Sequence, residues 1–247
     1  MCSINHDLKA IFIHIPKTAG TFLADLLHTH YGFKKYYMTR PDHLQFCTKK
    51  DTSVKSHENF VHGTLMYYKT SAYCNQKMGM TPEKWDEYYK FCFIRNPYDK
   101  IVSGWNYVSP KVPFGQFIQK PKQKSCWDYW HVFMPQVRHI INEKGKIGVN
   151  FIGRFEDLET DLGKVLTKLN LIPRPFPEQK KNARKHLPHQ AYYNNPKILD
   201  RVNDLLKEDF EMLQEHYKKH TSLRELYSSS TLSNINIPSS SSIPSSL

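Results

Sequence analysis

The stretch LKAIFIHIPKTAGTFLADLLHTH, Leu8 to His30, decides the fold. Leu8 to Ile15 is an apolar, β-branched run of strand length. Pro16-Lys17-Thr18-Ala19-Gly20-Thr21 breaks it, and Phe22, Leu23, Leu26, Leu27 and His30 then recur at helical spacing. The same grammar returns at Tyr89–Ile94 (YKFCFI), which Arg95-Asn96-Pro97 interrupts. Asn96 suits an N-cap and Pro97 the first helical position, with Ile101, Val102 and Trp105 continuing the helical face. It returns again at Val149–Phe155 (VNFIGRF), followed by Leu158, Leu162, Val165, Leu166 and Leu169. Continuous apolar strands alternating with amphipathic helices predict an α/β protein whose parallel sheet is covered on both faces. A longer helix is expected from about Pro196 to Tyr217, with Ile198, Val202, Leu205, Leu206, Phe210 and Leu213 on one side. The Tyr-, Lys- and His-rich segment from Lys34 to Lys84 reads as loops and short elements over the sheet.

The chain has 247 residues, 39% hydrophobic, 23% charged and 13% aromatic, which suits one folded domain and excludes a disordered, collagenous or membrane-bundle chain. From Ser228 onward the sequence is rich in serine and uncharged, too poor in apolar surface to offset its ordering entropy. The expected division is therefore a domain over 1–227 and a disordered tail over 228–247. Thirty-five Lys+Arg against 23 Asp+Glu leave a formal charge of +12, which predicts an anionic partner without choosing which. No run reaches signal-core or membrane-spanning length, so the expected setting is the cytoplasm, or a secretory lumen if an anchor lies outside this sequence. The five cysteines, Cys2, Cys47, Cys74, Cys92 and Cys126, form no C-x-x-C pair. They read as reduced thiols, with a disulfide among Cys47, Cys74 and Cys126 the alternative in an oxidising lumen.

In a sheet of this kind ligands bind where strands lead into helices. The first such loop, Lys17 to Thr21, has small residues that let backbone N–H groups approach an anion at a helix N-terminus. Lys17 adds a full charge, and Thr18 and Thr21 add hydroxyl donors. A nucleotide-triphosphatase loop would place glycines before the lysine; here Lys17 precedes Gly20. The second loop puts Arg95 at a strand end with Ser103 two helical turns on, a fork and a hydroxyl suited to a phosphate.

HIPKTAGT (His14–Thr21) and RNPYDKIVSGW (Arg95–Trp105) resemble the two cofactor motifs of carbohydrate sulfotransferases, in the branch containing heparan sulfate 2-O-sulfotransferase. FIGRFEDLETDL (Phe151–Leu162) and VNDLLKEDFEML (Val202–Leu213) extend the resemblance over nearly the whole chain before the tail. The resemblance implies a P-loop-like sheet flanked by helices, the sulfotransferase fold, and a donor, 3′-phosphoadenosine 5′-phosphosulfate (PAPS). By the same resemblance Lys17, Thr18, Ala19, Gly20 and Thr21 hold the 5′-phosphosulfate, and Arg95 and Ser103 hold the 3′-phosphate. Lys181, Arg184 and Lys185 are expected to close over the donor.

Sulfuryl transfer depends on position and charge, with Lys17 neutralising the leaving oxygen and a general base taking the acceptor proton. In the resembled branch a His-Gly-His stretch supplies the base; here Val61-His62-Gly63-Thr64 has threonine for the second histidine. His62 is the expected base, with His57 and Glu58 as neighbours able to serve, and His14 is read as a strand-end residue. No metal is called for. The acceptor is expected to be a hydroxyl of an anionic glycan, with Lys34, Lys35, Lys49, Lys50, Lys120, Lys122 and Lys124 as outer contacts. Rival readings are an ATP- and Mg²⁺-dependent phosphotransferase, a basic nucleic-acid-binding protein on the same scaffold, and a sulfotransferase scaffold without activity. No recognised nucleic-acid motif appears.

Overall fold

The computed structural model describes residues 1–37, 64–119, 132–176 and 186–217. The chain opens with a hairpin of β1 (Cys2–Asn5) and β2 (Ala10–Ile13). Leu8 and Lys9, expected to begin the first strand, lie in its turn instead. Asn5 Oδ1 accepts the Leu8 N–H at 2.9 Å, and Lys9 takes a left-handed φ of 47°. These local bonds outcompete strand extension, and a four-residue strand with polar Ser3 and Asn5 is too short to show a period.

Helix α1 (Gly20–Tyr31) and edge strand β3 (Lys34–Tyr36) follow, joined through Gly32 at φ 70°, the left-handed position that favours glycine. Three short helices, α2 (Leu65–Thr70), α3 (Ala72–Met78) and α4 (Pro82–Glu87), each start on a Thr or Ser whose side chain accepts a backbone N–H of the first turn. Next come β4 (Tyr89–Ile94), α5 (Pro97–Val108) and α6 (Phe114–Gln119). A 3₁₀ turn at Gln136–His139, β5 (Phe151–Arg154) and α7 (Leu158–Lys168) continue the chain. It closes with α8 (Pro196–Leu205) and α9 (Lys207–Tyr217).

The sheet order is β3-β1-β2-β4-β5. The expected parallel core is present as β2, β4 and β5, but the sheet is mixed, because β1 pairs antiparallel with both β2 and β3. Tertiary pairing thus draws β3 into the sheet, where the sequence reading puts only covering elements. Alternation along the strands divides the core. Ile11, Ile13, Cys92 and Ile94 pack with Tyr68, Met78 and Trp85 from α2–α4. Phe12, Phe91 and Phe93 face the other way, onto Leu23 and Leu27 of α1 and Leu162 and Val165 of α7.

The expected helix over Pro196–Tyr217 is two helices, interrupted at Leu206. The break lets α8 pack Leu199 and Val202 with Ile101, Val102 and Phe117 of α5 and α6. Helix α9 meanwhile buries Asp209, whose carboxylate accepts the Gln136 and Val137 N–H groups at 2.9 and 2.8 Å. Cys2, Cys74 and Cys92 are free buried thiols, whereas Cys47 and Cys126 lie outside the described residues. Burial pushes the Cys2 thiol up to about 12.

Candidate active site

The two loops singled out in the sequence leave the carboxyl ends of the adjacent parallel strands β2 and β4. In the first, Lys17 and Ala19 both take left-handed φ values, 66° and 62°. For residues with a Cβ each costs about 1 kcal/mol or more, a strain that tends to persist where function requires it. The alternation turns the backbone into a tight cup at the N-terminus of α1, the geometry that receives anions. Gly20 is required there, because a Cβ on it would stand 1.7 Å from Cδ2 of His14. His14, 2% exposed and stacked on Phe12, is a wall of the loop. The Thr18 hydroxyl, expected to face a ligand, is buried and donates to the Ile15 carbonyl at 2.9 Å. It braces the turn, because a small buried loop must satisfy its own carbonyls. Thr21 is exposed in the first turn of α1.

In the second loop, Asn96 Oδ1 accepts the Tyr98 and Asp99 N–H groups at 3.0 and 3.4 Å and Pro97 opens α5, as the sequence predicts. Arg95 is gripped from several sides. Its Nε donates to Asp99 Oδ2 at 2.6 Å, with Nη2 2.5 Å from the same oxygen. Its Nη1 donates to the Lys17 carbonyl at 3.2 Å, and its guanidinium lies 4.1 Å from the centroid of the Phe155 ring. The loops therefore touch: Arg95 of one is bonded to Lys17 of the other. A guanidinium carries five N–H donors, so this grip leaves donors for a ligand.

Beneath Arg95 the support is polar and buried. Gln136 donates to the Arg95 carbonyl and accepts its N–H, at 2.9 and 2.8 Å. Lys100, one turn into α5 and fully buried, donates to the carbonyls of Val132 and Met134, both at 2.9 Å. Burial pushes its pKa down to about 8 against the pull of Asp209, and burial likewise pushes Asp209 up. On the other flank Glu156 Oε1 accepts the Asn96 N–H at 2.6 Å, while Glu156 Oε2 lies 3.4 Å from Nη2 of the buried Arg154 at the end of β5.

Asp99, Ser103 and Tyr107 follow one another at four-residue intervals and so share a face of α5. Ser103 is half-buried in the middle of that face. At its far end the Lys17 ammonium sits 4.1 Å from the centroid of the Tyr107 ring. Lys17, Arg95 and the Ser103 face thus stand together beyond the carboxyl ends of β2 and β4. The structure adds residues the sequence reading missed. His189 Nδ1 lies 3.7 Å and His186 Nε2 4.0 Å from Asp99 Oδ1. Burial raises the Asp99 carboxyl, but bonds to His189 and Arg95 outweigh it and hold the group at about 2. An H-x-x-H spacing beside a basic cluster was the only sequence signal for this pair. His62, His57, Glu58, Lys181, Arg184 and Lys185 lie outside the described residues, as do Lys49, Lys50, Lys120, Lys122 and Lys124. Lys34 and Lys35 are on edge strand β3, two strands from β2, and Lys35 is paired with Asp25 at 2.7 Å.

The sulfotransferase family model matches residues 2–218, nearly the span that carries both loops and their supports. The chain belongs to the sulfotransferase family. Among other proteins, this family member is similar to an uncharacterised protein of Archaeoglobus fulgidus, 36% identical over 91 residues, 35% of this chain and 71% of that one. A sulfotransferase from Alicyclobacillus acidocaldarius aligns at 15% identity over 79% of this chain and 94% of its own, with a TM-score of 0.37. Among the described residues no helix is long and apolar enough to cross a membrane.

Proposed function

We propose that this sulfotransferase-family chain moves a sulfuryl group from PAPS to a hydroxyl of a carbohydrate acceptor. The observation that supports the donor is the bond from Arg95 Nη1 to the Lys17 carbonyl at 3.2 Å, which makes one cradle of two anion-binding loops. A nucleotide phosphorylated at both 3′ and 5′ positions asks for two such loops. The residues present fit it: a backbone cup with one lysine on one side, and on the other a braced guanidinium with donors that the described residues leave open. When bound, PAPS supplies a sulfuryl group already activated as an anhydride with phosphate.

On this reading the Lys17–Thr21 backbone and the Lys17 ammonium hold the 5′ end, with Thr18 bracing the turn and Thr21 at its rim. Arg95 and Ser103 hold the 3′-phosphate, and Arg184 closes over the nucleotide. A fixed cation at the leaving oxygen, the place of Lys17, contributes on the order of 3 kcal/mol to the reaction. His62 takes the proton of the acceptor hydroxyl. The likeness of HIPKTAGT and RNPYDKIVSGW to the branch containing heparan sulfate 2-O-sulfotransferase, and the net charge of +12, support an anionic glycan as acceptor.

Calorimetric titration with adenosine 3′,5′-bisphosphate, beside ATP with magnesium, tests the donor. Binding of the bisphosphate should weaken about 10- to 100-fold in Arg95→Ala, the range for a lost charged hydrogen bond. Preference for magnesium-ATP would replace this reading with a phosphotransferase. Transfer of labelled sulfate to a glycan, falling steeply with added salt, is the expected result for the acceptor.

A further inference from the structure

Asp99 is an unexpected neighbour for a phosphate-binding arginine. With its carboxyl titrating near pH 2, it is ionised throughout the physiological range and offsets the charge of Arg95. A dianionic phosphate arriving at Arg95 meets a carboxylate whose Oδ2 is already 2.6 Å from Arg95 Nε. Something must offset that carboxylate for the clamp to be cationic.

The other oxygen of Asp99 faces two imidazoles, and their geometry is informative. His186 places Nδ1 2.7 Å from the Leu187 carbonyl, which can only accept, so Nδ1 carries the proton. In the neutral ring Nε2 is then a bare lone pair turned toward Asp99 Oδ1, 4.0 Å away. Protonation at Nε2 turns that opposition into an attraction. His189 is stacked on Tyr98 with centroids 6.5 Å apart, and its Nδ1 faces the same oxygen at 3.7 Å. Tyr98 is itself fixed, its hydroxyl donating to Asn203 at 2.6 Å and its carbonyl accepting from the Tyr193 hydroxyl at 3.0 Å. Both histidine side chains are only 15% exposed, so they are set against Asp99 rather than free in solvent.

Among the described residues, the charged and titratable groups around the pair come from three elements. Arg95 and Asp99 belong to the β4–α5 turn, together with Tyr98. Lys17 of the first loop is reached through its carbonyl by Arg95 and through its ammonium by Tyr107. The His186–Tyr192 segment adds the Tyr192 hydroxyl, which accepts the Leu187 N–H at 3.3 Å. Glu156 lies beyond Asn96 and faces Arg154.

We propose that His186 and His189 are the proton switch of the 3′-phosphate clamp. Protons taken from solvent by the two imidazoles, at Nε2 in His186, offset the charge of Asp99 and return the field of Arg95 to the phosphate. Neutral histidines leave Arg95 spent on Asp99. The histidines act through Asp99 and are positioning residues. This inference rests on the reading that Arg95 holds a 3′-phosphate.

The test is titration of the full chain with adenosine 3′,5′-bisphosphate at pH 7.5, in buffers of different ionisation enthalpy, beside adenosine 5′-phosphate. Binding of the bisphosphate should take up between about half a proton and two protons. Its affinity should fall by up to about tenfold per pH unit for each coupled proton from pH 7 to 8.5. Over that range phosphate monoesters are already dianionic, so the ligand's own titration does not mimic the effect. Adenosine 5′-phosphate should show no such uptake. In His186→Gln/His189→Gln, where the side chains can bond Asp99 but not charge, uptake should vanish and the pH profile flatten. Should that variant fail to fold, the wild-type contrast between the two nucleotides decides alone. Bisphosphate binding that is lost in Arg95→Ala yet takes up no proton overturns the switch and leaves the donor reading standing. Equal uptake with both nucleotides also overturns it. Absent binding, or binding indifferent to Arg95→Ala, overturns the donor reading and the switch together.

Discussion

The Pro16–Thr21 loop and the Arg95–Asp99 loop stand side by side at the carboxyl ends of β2 and β4 and are built on opposite principles. The first is made of backbone: two left-handed residues, a glycine wedged against His14, and a threonine hydroxyl spent on its own turn. The second is made of side chains: a guanidinium held by a carboxylate, a carbonyl and a ring, above a buried Gln136, Lys100 and Asp209. A loop of the first kind tolerates no added volume. One of the second kind tolerates no lost charge or acceptor.

The largest break in that contrast is expected at Asp209→Ala. It strands Lys100 in the core without its counter-charge and removes the acceptor for the Gln136 and Val137 N–H groups. Two buried N–H groups left without their acceptor, at about 1–3 kcal/mol each, predict a loss of about 3–5 kcal/mol in urea unfolding. Next is Gly20→Ala, which drives a methyl into the His14 ring and should cost about 3 kcal/mol. His14→Ala in the same chain should recover most of it, and a double-mutant cycle reads that coupling.

Asp99→Asn should cost about 2 kcal/mol at pH 6, from a carboxyl that titrates at about 2 rather than near its ordinary 3.8. Because the folded-state pKa is the lower one, this stability is present above about pH 4 and is lost as pH falls toward 2. The gap between wild type and variant in urea unfolding should close over that window. The smallest effect is expected at Tyr107→Leu, which removes the ring under the Lys17 ammonium. An exposed cation–π contact is worth about 0.5–1 kcal/mol, so urea unfolding of the variant should show a loss no larger than that.

The first loop was the more legible in sequence. Its chemistry lies within consecutive residues, Pro16 to Thr21, and the strand and helix beside them carry their own periods. Even so, the direction of the Thr18 hydroxyl was not visible, because it depends on whether the turn needs its own donor. For the second loop the sequence showed Arg95, the Asn96 cap and Pro97. It did not show Asp99 as the partner of Arg95, nor Gln136, Asp209, His186 and His189. Asp99 is only four positions from Arg95, but Gln136, Asp209, His186 and His189 lie 41 to 114 positions beyond Arg95 or Asp99, and no local pattern links them. The short β1 and β3 escaped for a related reason: strands of four and three residues show no reliable alternation, and pairing with β2 gives them their form.

What the sequence alone determined is what local physics determines. The parallel strands β2, β4 and β5, the helices that follow each of them, and the Asn96 cap with Pro97 rest on hydrophobic period, capping and the restrictions of proline. The mixed order of the sheet, the break at Leu206, the grip on Arg95 and the histidines facing Asp99 were decided only by the tertiary structure. Each joins residues far apart in the chain, and such contacts form only when burial of the whole core offsets the entropy of bringing them together.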